Sequence, residues 1–298
     1  MLTLTGVIPP FVTPLTEDEE VDTSAVTPLL EHMLAGGVHA IFILGTMGEG
    51  ATLDDERRVT LASAAVKAVA GRVPVIAGVI ETSTRRAVST ARALGPTGVD
   101  ALVLMAPCYY RHSDQAELLA HFRTVVEATD LPAVIYDNPH TTKNALTIES
   151  VLALAEHPQV IALKDSTSDI THFAELAHRF AGGDFALFQG DESQLDTAML
   201  LGAHGLVVGM ANLTPGVVVE LYEAGRKGER HRAGELQEKL LRLQRGLYEL
   251  RPNGYLQGMK AALSLLGLCQ PWTTAPHLPL DDAQVERVKK VLREEGVL

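Results

Sequence analysis

The 298 residues carry 37 acidic and 25 basic side chains, a formal net charge of −12. That balance argues against a nucleic-acid or anionic-membrane surface as the main partner, although a small anionic substrate answers only to the local field of a cleft. Apolar residues at 46% and charged ones at 21% describe an ordinary globular chain, long enough for one large domain or two ordinary ones. Cys108 and Cys269 are the only cysteines, so there is no disulfide framework and a reducing compartment is expected. The N-terminal segment lacks a basic region, and Pro9, Pro10 and Pro14 interrupt its apolar stretch, so it is not read as a signal peptide. No apolar run is long enough to span a bilayer, and a cytoplasmic location is expected by elimination.

In chain order, short apolar runs rich in β-formers alternate with amphipathic stretches. Strands are predicted at Gly6–Val12, Ala40–Leu44, Val73–Gly78, Ala101–Met105, Ala133–Tyr136, Val160–Leu163, Phe185–Gln189 and Gly205–Val208. Helices are predicted between them at Ser24–Ala35, Asp54–Ala70, Ser83–Leu94, Asp114–Ala128, Thr147–Ala155, Asp169–Phe180 and Glu192–Leu201. Such alternation without a composition break fits an α/β fold closed into a (β/α)8 TIM barrel, with a doubly wound open sheet as the rival. After Val208 only helical periodicity follows, at Pro215–Lys227, Glu229–Leu250, Tyr255–Leu268 and Asp281–Glu295. The reading is a catalytic barrel over 1–228 and a C-terminal helical extension over 229–298, packed together without a linker.

The unusual residues fall where the predicted strands end, the face on which barrel active sites are built. Gly45-Thr46-Met47-Gly48-Glu49 follows the second strand, Pro107-Cys108-Tyr109-Tyr110 the fourth, and Gly190-Asp191-Glu192 the seventh. Tyr136 closes the fifth and Lys164 ends the apolar run Val160–Leu163. A lysine delivered to the edge of a core is partly desolvated, which penalises the ammonium and favours a nucleophilic amine suited to Schiff-base chemistry. Each feature also has a bland explanation. Glycines make tight turns, tyrosines cap a barrel rim, and Asp191 or Glu192 can cap the next helix. Their joint placement around one lysine favours a site.

The order and spacing of Gly-Thr-x-Gly-Glu at 45–49, Tyr-x-x-Pro at 136–139 and Lys164 within Ala-Leu-Lys-Asp-Ser are specific. Through them the chain resembles, along essentially its whole length, the pyruvate-dependent class I aldolases that include dihydrodipicolinate synthase and N-acetylneuraminate lyase. The resemblance implies that Lys164 forms an imine with the keto carbon of a 2-oxo acid, with no cofactor besides that covalent imine. It implies that Tyr136 is the general acid/base, and that Thr46 links it to Tyr109 of a neighbouring subunit in a homotetramer, a dimer of dimers. The backbone N–H groups of Thr46 and Met47 would hold the substrate carboxylate, while Gly190 and Val207 line the site.

Departures from the synthase pattern guide the subtype. Where dihydrodipicolinate synthases carry an arginine for the carboxylate of aspartate semialdehyde, this chain has Thr141. Thr82, Arg86 and Cys108 stand where the feedback-lysine site has asparagine, glutamate and tyrosine. The segment Lys164-Asp165-Ser166 instead resembles members acting on 2-keto-3-deoxy sugar acids or 4-hydroxy-2-oxo acids, and His140-Thr141-Thr142 would suit a polyol tail. Asp191 and Glu192 would repel a phosphate. The leading expectation is a lyase that reversibly splits a non-phosphorylated 2-oxo acid into pyruvate and an aldehyde. The rivals are the synthase itself, dehydration or deamination through the same imine, and a non-catalytic 2-oxo acid binding barrel. No metal site is expected, since the eleven histidines show no ligand spacing. His172 and His178 read as residues of a solvated helix face, Cys108 as filler, and Lys260 as a lysine remote from the barrel mouth.

Overall fold

The computed structural model describes residues 2–112 and 114–298. Eight parallel strands run in the order β1-β8-β7-β6-β5-β4-β3-β2. They are β1 (Gly6–Val7), β2 (Ile41–Ile43), β3 (Val75–Val79), β4 (Ala101–Met105), β5 (Ala133–Asp137), β6 (Val160–Asp165), β7 (Ala186–Gln189) and β8 (Gly205–Leu206). The seam between the first two strands is closed by Phe42 N–H donating to Pro9 O at 3.0 Å and Phe11 N–H donating to Phe42 O at 2.7 Å. The fold is therefore the expected (β/α)8 barrel, with the helical C-terminal segment present.

Strands of such a barrel are covered on both faces, which is why they read as continuous apolar runs. Phe42, Ile76, Val103, Val134, Ala162 and Phe188 fill the interior, whereas Ile41, Ile43, Leu102, Ile135 and Leu163 pack outward. The outer layer is α1 (Thr23–Ala35), α2 (Asp55–Val69), α3 (Thr84–Leu94), α4 (Gln115–Val126), α5 (Pro139–Thr142), α6 (Ile148–Ala155), α7 (Ile170–Phe180), α8 (Leu195–Leu200) and α9 (Pro215–Arg226). Many of these start where the sequence offers a capping side chain. Asp22, Asp54, Asp114, Thr147 and Asp169 each accept from the first free backbone N–H groups. Helices α10 (Arg230–Tyr248), α11 (Tyr255–Leu265) and α12 (Asp282–Glu294) follow. Gln237 of α10 reaches back to the barrel, donating to Glu192 O at 2.8 Å and accepting from Leu195 N–H at 2.9 Å.

Several boundaries differ from expectation for local reasons. Strand β1 is two residues long because the prolines at 9 and 10 offer no N–H to a ladder. Strand β8 stops at Leu206, and the chain turns into a 3-10 segment at Gly209–Asn212. Helix α8 begins at Leu195 rather than Glu192, since Asp191 forms a turn with Ser193 and Glu192 is drawn inward. The short α5 was not foreseen; Pro139 opens it at a position that needs no N–H donor. Behind the β2 turn, Leu44 adopts a left-handed φ of 58°. Gly50 and Gly78 both face its carbonyl, leaving no room for a Cβ.

Candidate active site

A cavity of about 440 Å³ opens at the C-terminal ends of the strands, within the size range of small-molecule sites. It gathers Thr46, Met47, Tyr136, Thr141, Lys164, Gly190 and Val207, seven of the eight residues singled out in the sequence. The eighth, Tyr109, does not line the cavity of its own chain. It is 71% exposed, holds a φ of 85°, and packs edge-on against the equally exposed Tyr110 with ring centroids 5.0 Å apart.

Lys164 and Tyr136 are partners in the β5–β6 register, and strand alternation turns both into the barrel. Both are buried, and Lys164 Nζ lies 4.0 Å from the centroid of the Tyr136 ring and 5.4 Å from that of Phe42. Among the described residues no carboxylate forms an ion pair with this amine. Burial alone would raise the Tyr136 phenol. The positive charge of Lys164 and hydrogen bonds involving Thr46, Lys164 and Ser166 bring it below its ordinary value instead. Asn138 Nδ2 adds a further donor to the phenol oxygen at 3.0 Å. Ser166 Oγ is buried without an aligned partner, close to the phenol. Gly190 must lack a side chain, because a Cβ there would strike Ser166 Oγ and come within 2.8 Å of Lys164 Cε. A phenol that holds its proton less tightly than usual, beside a primary amine, can exchange protons with a reacting group.

In the turn after β2, Glu49 N–H bonds to Thr46 O at 3.2 Å, and among the described residues the Thr46 and Met47 N–H groups have no protein acceptor. Oriented N–H donors of this kind suit a carboxylate. Glu49 then anchors the turn to the C-terminal helices. Its Oε2 accepts from Thr274 N–H at 2.7 Å and Thr274 Oγ1 at 2.8 Å, and its Oε1 lies 2.5 Å from Lys260 Nζ. Lys260 also donates to Trp272 O at 2.5 Å. Lys260 is thus not remote from the barrel mouth. It is fully buried behind the turn, where desolvation lowers its affinity for a proton and Glu49 opposes that shift.

Two further expectations change. His172 does not lie on a solvated face, because its Nδ1 sits 3.0 Å from Asp165 Oδ2 and its side chain is mostly covered. His178 of the same helix is exposed, as expected. Glu192 is not a free anion in the seventh loop. Its Oε1 accepts from Met210 N–H at 2.7 Å, and burial, only partly offset by that bond and by Tyr248, pushes its carboxyl up to about 7. Arg86, one of the positions departing from the feedback pattern, is tied with Arg58 to the buried Glu81 at 2.7 and 2.5 Å.

The sequence did not single out Asn138 and Ser166, although they stand two residues beyond Tyr136 and Lys164 on the same face. Alternation was the available signal. Gln244, Tyr248 and Tyr255 enter the cavity from the C-terminal helices and Asn253 from the turn between α10 and α11, and no local pattern marks them. Among the described residues, no cluster of three or more His, Cys, Asp or Glu is arranged to hold a metal. No helix among the described residues is long and apolar enough to cross a membrane.

A family model described as the dihydrodipicolinate synthetase family matches residues 3–295. The chain belongs to that family. A 4-hydroxy-tetrahydrodipicolinate synthase of Aromatoleum aromaticum is 35% identical over 295 residues, covering 99% of each chain. The dihydrodipicolinate synthase structure of Bacteroides thetaiotaomicron superposes with a TM-score of 0.93 at 34% identity, over 99% of this chain and 100% of that one. A prophage protein of the same family from E. coli K12, solved in complex with pyruvate, gives 0.93 at 28% identity over the full length of both. The protein is accordingly a lyase of the class I aldolase type.

The buried Glu49–Lys260 pair generates a stability prediction. Lys260→Met strands a carboxylate in the core and should cost about 3–5 kcal/mol in urea unfolding. Adding Glu49→Gln to that variant should recover part of the loss. A single variant as stable as the wild type would show that the pair does not hold the turn.

Proposed function

We propose that the protein reversibly cleaves a non-phosphorylated 2-oxo acid to pyruvate and an aldehyde, through an imine on Lys164. The observation that carries this reading is the buried Lys164 amine set against the Tyr136 ring inside the cavity. The amine adds to C2 of the substrate, and loss of water gives the imine, whose protonated form is an electron sink. Tyr136 takes the proton of the C4 hydroxyl, the C3–C4 electrons flow toward the imine nitrogen, and the aldehyde departs. The enamine then gains a proton at C3, and water releases pyruvate from the lysine. Thr46 and Met47 N–H groups orient the carboxylate, and no cofactor takes part. The pyruvate bound by the E. coli relative supports the same occupant here.

The far half of the cavity supports a neutral, hydroxylated aldehyde. The cavity lining includes His140, Thr141, Ser168, Asp191, Gln244 and Asn253, and among the described residues Lys164 is its only lysine or arginine. Glu192, whose carboxyl burial raises to about 7, stands in this lining as well. A second carboxylate or a phosphate would enter without a cation to meet it. Because Glu192 is not a full anion, this missing cation is the stronger argument against phosphate. The second reading is synthase activity on aspartate semialdehyde, favoured by the name of the Aromatoleum relative. Against it, a lost charge-assisted bond is worth roughly 1.5–3 kcal/mol, or about one to two orders of magnitude in kcat/KM. Lys143, the nearest replacement cation in sequence, is exposed and lies outside the cavity lining.

We place the enzyme in the cytoplasm, as a tetramer of two tight dimers in which Tyr109 of one subunit completes the Thr46–Tyr136 relay of another. The exposed Tyr109–Tyr110 pair and its left-handed backbone support that role, since an outward aromatic held under strain suits insertion into a neighbour.

With both reactions measured on one preparation, cleavage of at least one 2-keto-3-deoxy or 4-hydroxy-2-oxo acid should outrun the synthase reaction. Tyr136→Phe should slow that cleavage by about two to four orders of magnitude. A synthase rate well above every cleavage rate would overturn the substrate assignment. For the assembly, mixing inactive Tyr109→Phe and Lys164→Ala proteins should restore activity as hybrid oligomers form. A fully active monomer would remove the shared site.

A further inference from the structure

The two strands that carry the reacting pair end on a second pair. Asp137 follows Tyr136, Asp165 follows Lys164, and the two are partners in the β5–β6 register. Alternation sends them out of the barrel toward the helix layer. Both are buried, with 2% and 1% exposure. Two neighbouring carboxyls in such surroundings cannot both ionise without a large penalty.

Their surroundings treat them unequally. Asp165 Oδ1 accepts from Thr167 N–H at 2.8 Å and Thr167 Oγ1 at 2.7 Å, while its Oδ2 faces His172 Nδ1 at 3.0 Å. Asp137 receives one donor, Leu146 N–H at 3.0 Å on Oδ2, and its Oδ1 is buried without a partner. The charged groups facing this pair are His172 of α7 and, farther out, Asp169 at the start of that helix. Glu149 and Glu156 at α6 are exposed. Burial pushes Asp137 up to about 7, with Leu146 N–H opposing, the Asp165 charge adding to the rise and His172 opposing it. The bond to Asp165 raises His172 in spite of its own burial.

The backbone of this pair leads directly into the site. Ser166 N–H donates to Asp137 O at 2.9 Å, and Gly190 N–H donates to Asp165 O at 2.7 Å. Ser166 lies beside the Tyr136 phenol, and Gly190 packs against Lys164 Cε too closely to admit a Cβ. Any splaying of the two strand ends therefore moves the groups that hold the amine and the phenol.

We propose that Asp137 is a positioning residue whose protonated form keeps the ends of β5 and β6 together, and with them Tyr136 against Lys164. Loss of the proton places a second anion beside Asp165, and the strand ends separate. This inference rests on the reading of Lys164 and Tyr136 as the reacting pair. The sign of the linkage is definite. Asp137 holds its proton more tightly folded than unfolded, so its contribution to stability is complete below the ordinary value of 3.8, declines toward about 7, and is constant above. Turnover depends on the folded form alone and falls as pH rises through about 7.

Asp137→Asn, a neutral mimic of the protonated carboxyl, tests the proposal through a ratio of rates. Glu192 titrates in the same window, but it affects both proteins and cancels in that ratio. At pH 8 about one tenth of the wild type retains the Asp137 proton. The ratio of variant to wild-type kcat should therefore rise about tenfold between pH 6 and pH 8. Urea midpoints, which need no substrate, should show the wild type losing ground to the variant from pH 4 to pH 7. A constant rate ratio, whatever its value, would mark a merely structural residue and overturn the proposal. If no 2-oxo acid is turned over, the lyase reading fails separately and the urea series decides, with parallel midpoints as the overturning result. Should Asp137→Asn fail to fold, carbon-13 carboxyl titration of the Glu192→Gln protein replaces it. One remaining carboxyl ionising near pH 7 supports the proposal, and none overturns it.

Discussion

The register between β5 and β6 is the constraint on which the rest of this site depends. It sets Tyr136 opposite Lys164 on the inner face and Asp137 opposite Asp165 on the outer one. A slip of one residue would exchange the faces, bringing carboxyls into the cavity and sending the amine and phenol into the helix layer. Register is strongly specified here because the residues preceding the pair alternate between two apolar environments. Val134 and Ala162 belong to the barrel interior, Ile135 and Leu163 to the shell beneath the helices. The side chains at the strand ends are therefore held in place by hydrophobic burial one and two residues upstream.

The C-terminal helices are part of that construction. Lys260 reaches Glu49 from α11, Gln237 ties α10 to the seventh loop, and Tyr248 and Tyr255 line the cavity. An ion pair with side-chain exposures of 0% and 1% adds little net stability over an apolar pair of the same shape, but breaking one side of it is costly. Its value lies in geometry. Glu49 adopts a left-handed φ of 57°, and its carboxylate is fixed by contacts from a segment more than two hundred residues away. The turn that presents the Thr46 and Met47 N–H groups thereby keeps one shape.

What the sequence disclosed follows from this physics. Strand centres, helix starts and the clustering of Thr46, Tyr136, Lys164 and Gly190 were legible, because alternation, capping residues and strand-end position are local signals. The strand ends at Val7 and Leu206 were not, since prolines and the 3-10 turn cut short runs whose apolarity continues. Long-range partners were least legible. Lys260 reads as an unremarkable lysine in an apolar helix, and only folding brings Glu49 to it. His172 reads as a surface residue, and only the β6–α7 packing sets it on Asp165. Glu192 carries no sequence mark of its raised carboxyl, because that shift comes from burial.

In the proposed reaction Lys164 forms the covalent imine with substrate. Borohydride reduction in the presence of pyruvate, followed by intact-mass analysis and peptide mapping, tests it most directly. One reduced pyruvate adduct per chain is expected, on the peptide bearing Lys164, and none in Lys164→Arg protein that retains its fold. An adduct on Lys260, or active protein that yields no adduct at all, would contradict it.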